Sequence, residues 1–363
     1  MRIMSSSYGQ ILKITIFGES HSEAMGLTID GLPSGFKIDE KKIKEALKRR
    51  HGNNAFSTPR NEDDELKFIS GFFEGKTTGT PLTFIMYNKD IDSSSYEKGV
   101  IRPSHSDLTS YLKYDGNNDY RGGGMTSGRL TACLVVLGSI CEQILAKENI
   151  KVLTHISSLH GLNDRNFDLT NISGETSLLN DSLPVLDQKA KEDMINEILK
   201  AKGNKDSVGG ILESMIVGVP IGLGEPYFDS LESTISHLLF SVGGVKGVLF
   251  GDGLDFASKY GSEINDQLRF ENNKLKFLSN HSGGINGGIS NGQAIIVKTI
   301  VKPTPSISKK QQSVNLESKT NIDLEIKGRH DPCIVHRIAE VINGLLYYAI
   351  LDALMFYKAR KLW

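Results

Sequence analysis

Apolar residues recur at Leu130, Cys133, Leu134, Leu137, Cys141, Ile144 and Leu145, the i, i+3, i+4, i+7 spacing of a helix with one buried face. A second periodic stretch, with Ile334, Ile338, Val341, Ile342, Leu345, Leu346, Ala349 and Ile350, is apolar nearly all round and predicts a buried helix. Shorter helices are predicted over 39–50, where Ile43 and Leu47 face inward, and over 189–201 and 228–240. Strands are predicted over 11–17, 67–73, 81–87, 212–219 and 294–301. The strands come in groups, with helices between the groups rather than one for one. That arrangement predicts an α+β fold with antiparallel sheets.

Glycine punctuates this pattern. The chain has 363 residues and 37 glycines, more than the usual ~7%. Many are paired or tripled: Gly122-Gly123-Gly124, Gly209-Gly210, Gly243-Gly244, Gly283-Gly284 and Gly287-Gly288. Gly209-Gly210-Ile211 and Gly287-Gly288-Ile289 each precede a strand and a proline stop. An internal duplication and an ordinary hairpin start explain the likeness equally well. No Pro- or Ser-rich linker divides the chain, so one domain over 1–363 is expected. Lys+Arg total 42 against 43 Asp+Glu, which excludes a globally basic nucleic-acid binder but allows a local basic pocket. No uninterrupted apolar run approaches the ~18–20 residues of a membrane span, so no membrane partner is expected. The start of the chain lacks the shape of a signal peptide. Three scattered cysteines, Cys133, Cys141 and Cys333, suit neither a disulfide framework nor a zinc site. No metal is expected, and a reducing cytoplasm is the expected compartment.

Five segments carry candidate chemistry. Gly18-Glu19-Ser20-His21 follows a strand and offers His21 as an acid near neutral pH, or a surface turn with a satisfied histidine. Arg102-Pro103-Ser104-His105-Ser106-Asp107 offers a second histidine that Asp107 can orient, with no serine nucleophile elbow beside it. Arg121-Gly122-Gly123-Gly124-Met125-Thr126-Ser127-Gly128-Arg129 runs into the first periodic helix. Its glycines permit close backbone approach and its arginines suit phosphate or carboxylate, although it is neither a Walker loop nor a dinucleotide fingerprint. Lys302-Pro303-Thr304-Pro305-Ser306 ends a strand and presents an ammonium and two hydroxyls. In Gly328-Arg329-His330-Asp331-Pro332-Cys333, Asp331 before Pro332 fits a helix N-cap, yet the cluster of ionisable residues exceeds what a cap needs. Lys48, Arg49 and Arg50 close a helix, where cations suit its dipole and are also open to an anion. Together these residues favour a small, multiply anionic ligand.

The same segments resemble the chorismate synthase family. Gly18-Glu19-Ser20-His21 through Asp30-Gly31-Leu32-Pro33 is similar to its first signature. Arg102-Pro103-Ser104-His105 with Asp119-Tyr120-Arg121-Gly122-Gly123-Gly124 and Ser127-Gly128-Arg129 is similar to its second, and Gly328-Arg329-His330-Asp331-Pro332-Cys333 to its third. Intervening stretches fit in the family's order from Gly9 to about Asp352. The resemblance implies a β-α-β sandwich, helices layered between antiparallel sheets, and a homotetramer. It implies 1,4-anti elimination of phosphate from 5-enolpyruvylshikimate 3-phosphate to give chorismate in the shikimate pathway of aromatic amino acid biosynthesis. The family requires reduced FMN (FMNH2) without net redox change, transient electron donation assisting C–O cleavage. Carried over residue by residue, His21, His105 and Asp331 would be catalytic. Met125, Thr126, Ser127, Gly287, Lys302, Pro303, Thr304, Pro305, Ser306 and Arg329 would surround FMN. Arg49, Arg129 and Arg337 would hold the substrate's phosphate and carboxylates. NADPH enters only as an external or weak reductant, with Arg49 at the position proposed for it.

The chain departs from the family pattern in places. Met125 stands where Arg or His is usual after the triple glycine, Thr126 is also atypical, His51 stands where a proline is usual, and Ala55 replaces an arginine while Arg60 is kept. Gly243-Gly244 is unusual at a flavin loop, and Asn343 stands where many members have Glu. Two other readings stay open: an intrinsic flavin reductase, and a non-catalytic flavin- or phosphometabolite-binding protein.

Overall fold

The computed structural model describes residues 6–51, 64–91, 93–94, 96–168, 171–178, 181–326 and 331–361. Two five-stranded antiparallel sheets enclose a layer of helices. The first is built from β1 (Ser7–Tyr8), β2 (Lys13–Gly18), β3 (Ala24–Asp30), β4 (Leu66–Ser70) and β5 (Leu82–Tyr87), in the order β1-β2-β3-β5-β4. The second is built from β6 (Lys151–Leu159), β7 (Leu162–Asn163), β8 (Gly210–Val217), β9 (Val245–Phe250) and β10 (Ile295–Val301), in the order β9-β10-β8-β6-β7. Alternation places Leu82, Phe84 and Met86 of β5, and Ile295, Val297 and Val301 of β10, in the core.

Among the helices are α1 (Glu40–His51), α2 (Asp107–Lys113), α3 (Thr131–Leu145), α4 (Gln188–Gly203), α5 (Leu231–Phe240) and α6 (Val335–Arg360). Helix α3 packs on β3 of the first sheet and α6 on β6 and β8 of the second, while α1, α3 and α6 pack on one another. The α+β expectation holds. Where α3 crosses α6, a Cβ on Gly138 would collide with the Cα of Gly344, so both glycines let the backbones meet. Buried Asp352 on α6 accepts the backbone N–H groups of Gln10, Ile11 and Leu12 at 2.9, 2.9 and 2.7 Å, tying the first sheet to the helix layer.

Several boundaries differ from the sequence reading. Strands β3, β6 and β9 were not expected; β6 is buried on both faces and interrupted by Thr154 and His155, so no clean alternation marks it. The stretch 67–73 divides into β4 and a short hairpin strand, Phe72–Phe73. Helix α6 begins at Val335 rather than Pro332, so Asp331 is not its cap. Cys333 instead forms a parallel bridge with Val208. All three cysteines are free and buried. Two stretches, Arg121–Glu148 and Val335–Arg360, are by length and composition apolar enough to cross a membrane. Their most apolar windows are 67% and 78% buried inside the protein, so core packing accounts for them.

Candidate active site

A two-lobed cleft opens where the helix layer meets loops from both sheets. One lobe is about 530 Å3 and the other about 680 Å3, and His105, Thr126, Ser127, Thr304 and Asp331 line both. His21 reaches the larger lobe from the loop after β2 and is 7% exposed. Ser20 Oγ lies 3.0 Å from its Nδ1, and the ring of Tyr96 meets its ring edge-on at 5.3 Å. The turn Arg121–Thr126 crosses beneath with Gly122, Gly123 and Gly124 at φ of 59°, 87° and 52°. A Cβ on Gly122 would strike the His21 ring, so the triple glycine is needed where backbone and histidine meet.

His105 Nδ1 sits 2.7 Å from Asp107 Oδ1, and Asp107 also accepts two 2.7 Å hydrogen bonds from the Arg102 guanidinium. Burial opposes the Asp107 charge, but the bonds from Arg102 and His105 overcome it and hold the carboxyl well below its usual range. Asp331 accepts a 2.6 Å bond from Arg337 Nη1 at the junction of the lobes.

The smaller lobe is cationic. Arg50, Arg129, Arg337, Lys246 and Lys302 line it. Arg129 is 7% exposed and pairs with Asp64, while its Nε donates to Asn88 Oδ1 at 3.3 Å. Arg50 is 4% exposed and, among the described residues, donates to neutral acceptors, Gly128 O at 2.7 Å and Thr131 Oγ1 at 3.0 and 3.2 Å. Burial, followed by repulsion from Arg337, pushes its pKa down to about 9; Arg129 adds to the repulsion and Asp64 opposes it. Lys302 donates to Ser104 O at 2.7 Å, and burial with the neighbouring Lys246 lowers its pKa. Thr304 Oγ1 is buried and has no hydrogen-bond partner among the described residues.

The structure gathers His21, His105, Asp331, Thr126, Ser127, Lys302, Thr304, Pro305, Ser306, Arg129 and Arg337 around this cleft. Four expected residues lie elsewhere. Arg49 turns away and forms a bidentate pair with Glu340 at 2.7 and 3.2 Å in a separate cavity of about 270 Å3. Met125 is 41% exposed and does not line either lobe, its sulfur accepting from Ser6. Gly287 is the tight turn of a hairpin between Ile285–Asn286 and Ile289–Ser290. Pro303 packs against Gly209 rather than the cleft. Arg329, Ala55 and Arg60 lie outside the described residues.

Arg50 was expected only as one of three helix-end cations open to an anion, and Lys246 was not expected at all. The signal for Arg50 was present: Ile43, Ala46, Leu47 and Arg50 share the buried face of α1, and Arg49 is off it. Lys246 stands on β9, a strand the sequence reading missed.

A family model described as chorismate synthase matches residues 12–355. The chain is 42% identical over 359 residues to a chorismate synthase of Campylobacter lari, covering 98% of this chain and 97% of that protein. It is 41% identical over 352 residues to one from Dehalococcoides mccartyi, covering 96% of each. Among solved structures, one described as a crystal structure of chorismate synthase superposes with a TM-score of 0.76 at 24% identity, over 96% of this chain and 93% of that one, a likeness of fold. The model match and these near-full-length relatives establish that the chain belongs to the chorismate synthase family of lyases.

Proposed function

We propose that the protein eliminates phosphate from 5-enolpyruvylshikimate 3-phosphate to form chorismate, with reduced FMN and no net redox change, in the shikimate pathway. One observation carries this reading: the smaller lobe is lined by two buried arginines, a half-buried third and two lysines, with Asp331 as the acid among its lining residues, and it adjoins the lobe that holds His21 and His105. A substrate with a phosphate and two carboxylates matches that surplus of positive charge.

The residues present also suit a flavin phosphate. Thr304 Oγ1 is a buried polar atom without a partner among the described residues, Lys302 and Lys246 stand close by, and the glycine turn offers backbone free of side chains. Thr126, Ser127, Lys302, Thr304, Pro305 and Ser306 would hold it. Bound reduced FMN supplies transient electron density for breaking an unactivated C–O bond.

The chain's own groups do the rest. Arg129, Arg337 and Arg50 orient the anionic groups by charge-assisted hydrogen bonds. His21, enclosed by Tyr96 and the glycine turn, is the acid for the departing phosphate. His105 holds or delivers a proton at the junction of the lobes. Asp331, oriented by Arg337, takes part in removing the ring proton. Arg49, the position proposed for a pyridine nucleotide, is held by Glu340 in the other cavity, so reduction of the flavin from outside is the reading carried forward. By family resemblance the protein works as a single-domain chain in a cytoplasmic homotetramer.

Anaerobic release of inorganic phosphate from the substrate with chemically reduced FMN tests the proposal. Wild type should turn over, and His105→Ala and Asp331→Ala should each lose about 10²-fold or more. An inert wild type, or variants at the wild-type rate, would refute it.

A further inference from the structure

One carboxylate stands behind both cleft histidines. Asp107 opens α2 and is nearly enclosed: its side chain is 11% exposed. Its Oδ2 accepts the Arg102 backbone N–H at 3.0 Å and Arg102 Nε at 2.7 Å, while Oδ1 accepts Arg102 Nη2 at 2.7 Å. Those donors fix the group as an acceptor. His105 Nδ1, 2.7 Å from Oδ1, must therefore carry a proton for that contact to be a bond. Arg102 Nη2 and Ser106 Oγ are also near Nδ1, at 3.2 and 3.3 Å, but both are longer. The opposite edge of the ring turns toward the glycine loop. A Cβ on Gly123 would lie 3.0 Å from Cε1 and 3.6 Å from Nε2. Nε2 makes no hydrogen bond to the described residues, and His105 lines both lobes.

Arg102 extends the same support to the other histidine. Its guanidinium lies over the Tyr96 ring, 5.5 Å from the centroid, and Tyr96 meets the His21 ring edge-on at 80°. An arginine fixed by a bidentate carboxylate thus sets a tyrosine, which in turn walls the second histidine.

We propose that Asp107, through Arg102, is the positioning residue for both histidines. It holds His105 in the Nδ1–H form with Nε2 presented to the cleft, and it fixes the Arg102–Tyr96 wall against which His21 packs. This inference rests on the elimination proposed above, in which the two histidines handle protons. Asp107 lines the larger lobe, but both of its oxygens are engaged by Arg102 and His105. Its carboxylate acts only by selecting a tautomer and a ring orientation.

The test pairs kinetics with a direct view of the proton. In Asp107→Asn the side chain keeps its size but no longer demands a proton on Nδ1. Its kcat for phosphate release should fall about 10²-fold or more, with the KM for 5-enolpyruvylshikimate 3-phosphate and the Kd for reduced FMN unchanged. Asp107→Glu should recover part of the loss. Neutron diffraction from wild-type crystals should show the deuteron on His105 Nδ1, facing Asp107. A wild-type kcat in Asp107→Asn, a loss confined to KM, or a bare Nδ1 in the neutron map would overturn the proposal. Should Asp107→Asn fail to fold, the wild-type neutron map still decides. A wild type that releases no phosphate would instead strike at the elimination reading, leaving the tautomer measurable on its own.

Discussion

Two charge clusters of this molecule are built on opposite plans. On the outer face of the second sheet, His155 of β6 sits 2.8 Å from Asp164 and 3.4 Å from Glu213 of β8, and Lys298 of β10 lies 3.5 Å from Glu213. Asp164 also accepts the backbone N–H groups of Leu186 and Asp187 at 2.7 and 2.9 Å. Every charge there meets an opposite one, and the cluster fastens the segment after β7 onto the sheet. In the smaller lobe of the cleft, the acidic partners of Arg50, Arg129, Arg337, Lys246 and Lys302 among the described residues are Asp64 and Asp331. Arg50 spends its donors on a carbonyl and a hydroxyl. A cluster closed on itself serves the fold; one left with excess charge serves a ligand that brings the missing sign.

The largest expected effect breaks the closed cluster. Asp164→Asn leaves the His155–Glu213 side without its strongest partner and weakens the acceptor for two backbone donors. It should cost about 3–5 kcal/mol of unfolding free energy, as loss of one partner of a buried pair does. Urea unfolding checks this, and kcat of the remaining folded enzyme should not change. A drop in kcat with unaltered stability would invert the comparison.

Next comes the open cluster, where the reverse is expected. Arg50→Met removes hydrogen bonds to Gly128 O and Thr131 Oγ1, worth about 1 kcal/mol each. It also relieves repulsion with Arg337 and Arg129 and ends the burial of a charge. Stability should shift by no more than about 1 kcal/mol, while phosphate release falls about 10²-fold, some 2.7 kcal/mol in transition-state stabilisation. Normal turnover with a large loss of stability would make Arg50 a structural residue like Asp164.

The sequence made one of these clusters legible and hid the other. The cleft is assembled from loop segments with unusual composition: the histidines at 21 and 105, the triple glycine and Lys302 through Ser306 all mark themselves. The helices α3 and α6 are equally plain, because their apolar stripes are long. The closed cluster draws on β6, whose burial on both faces leaves no alternation to read, and its partners are up to 143 residues apart, His155 to Lys298. Arg49 and Arg50 show the finer limit. A pair of adjacent arginines looks interchangeable until the 100° step of the helix sends one toward Glu340 and the other toward the cleft. Asp331 shows another: a cap-like Asp-Pro pair is cancelled when Cys333 is drawn into a bridge with Val208 and the helix starts later.

The smallest expected effect sharpens the comparison through pH. Burial disfavours the charged form of His155, yet the bonds to Asp164 and Glu213 win and raise its pKa above its ordinary value. Burial likewise opposes the charges on Asp164 and Glu213, and their bonds to His155 lower both pKa values. A raised histidine gives stability that is complete below its unfolded value of about 6.5 and is lost as pH climbs through the folded one. A lowered carboxylate gives stability that is complete above about 4 and is lost as pH falls through the folded value. The cluster therefore contributes most between about pH 4.5 and 6.5. His155→Gln, neutral at every pH, isolates the effect: the unfolding free-energy gap between wild type and variant should be widest in that window and narrow toward both pH 9 and pH 3. Across that window the arginines of the open cluster keep their charge, Arg50 losing its own only near pH 9. A gap that widens steadily with rising pH would mean that His155 is neutral in the folded protein, and the cluster would then carry an unmatched carboxylate rather than a closed set of charges.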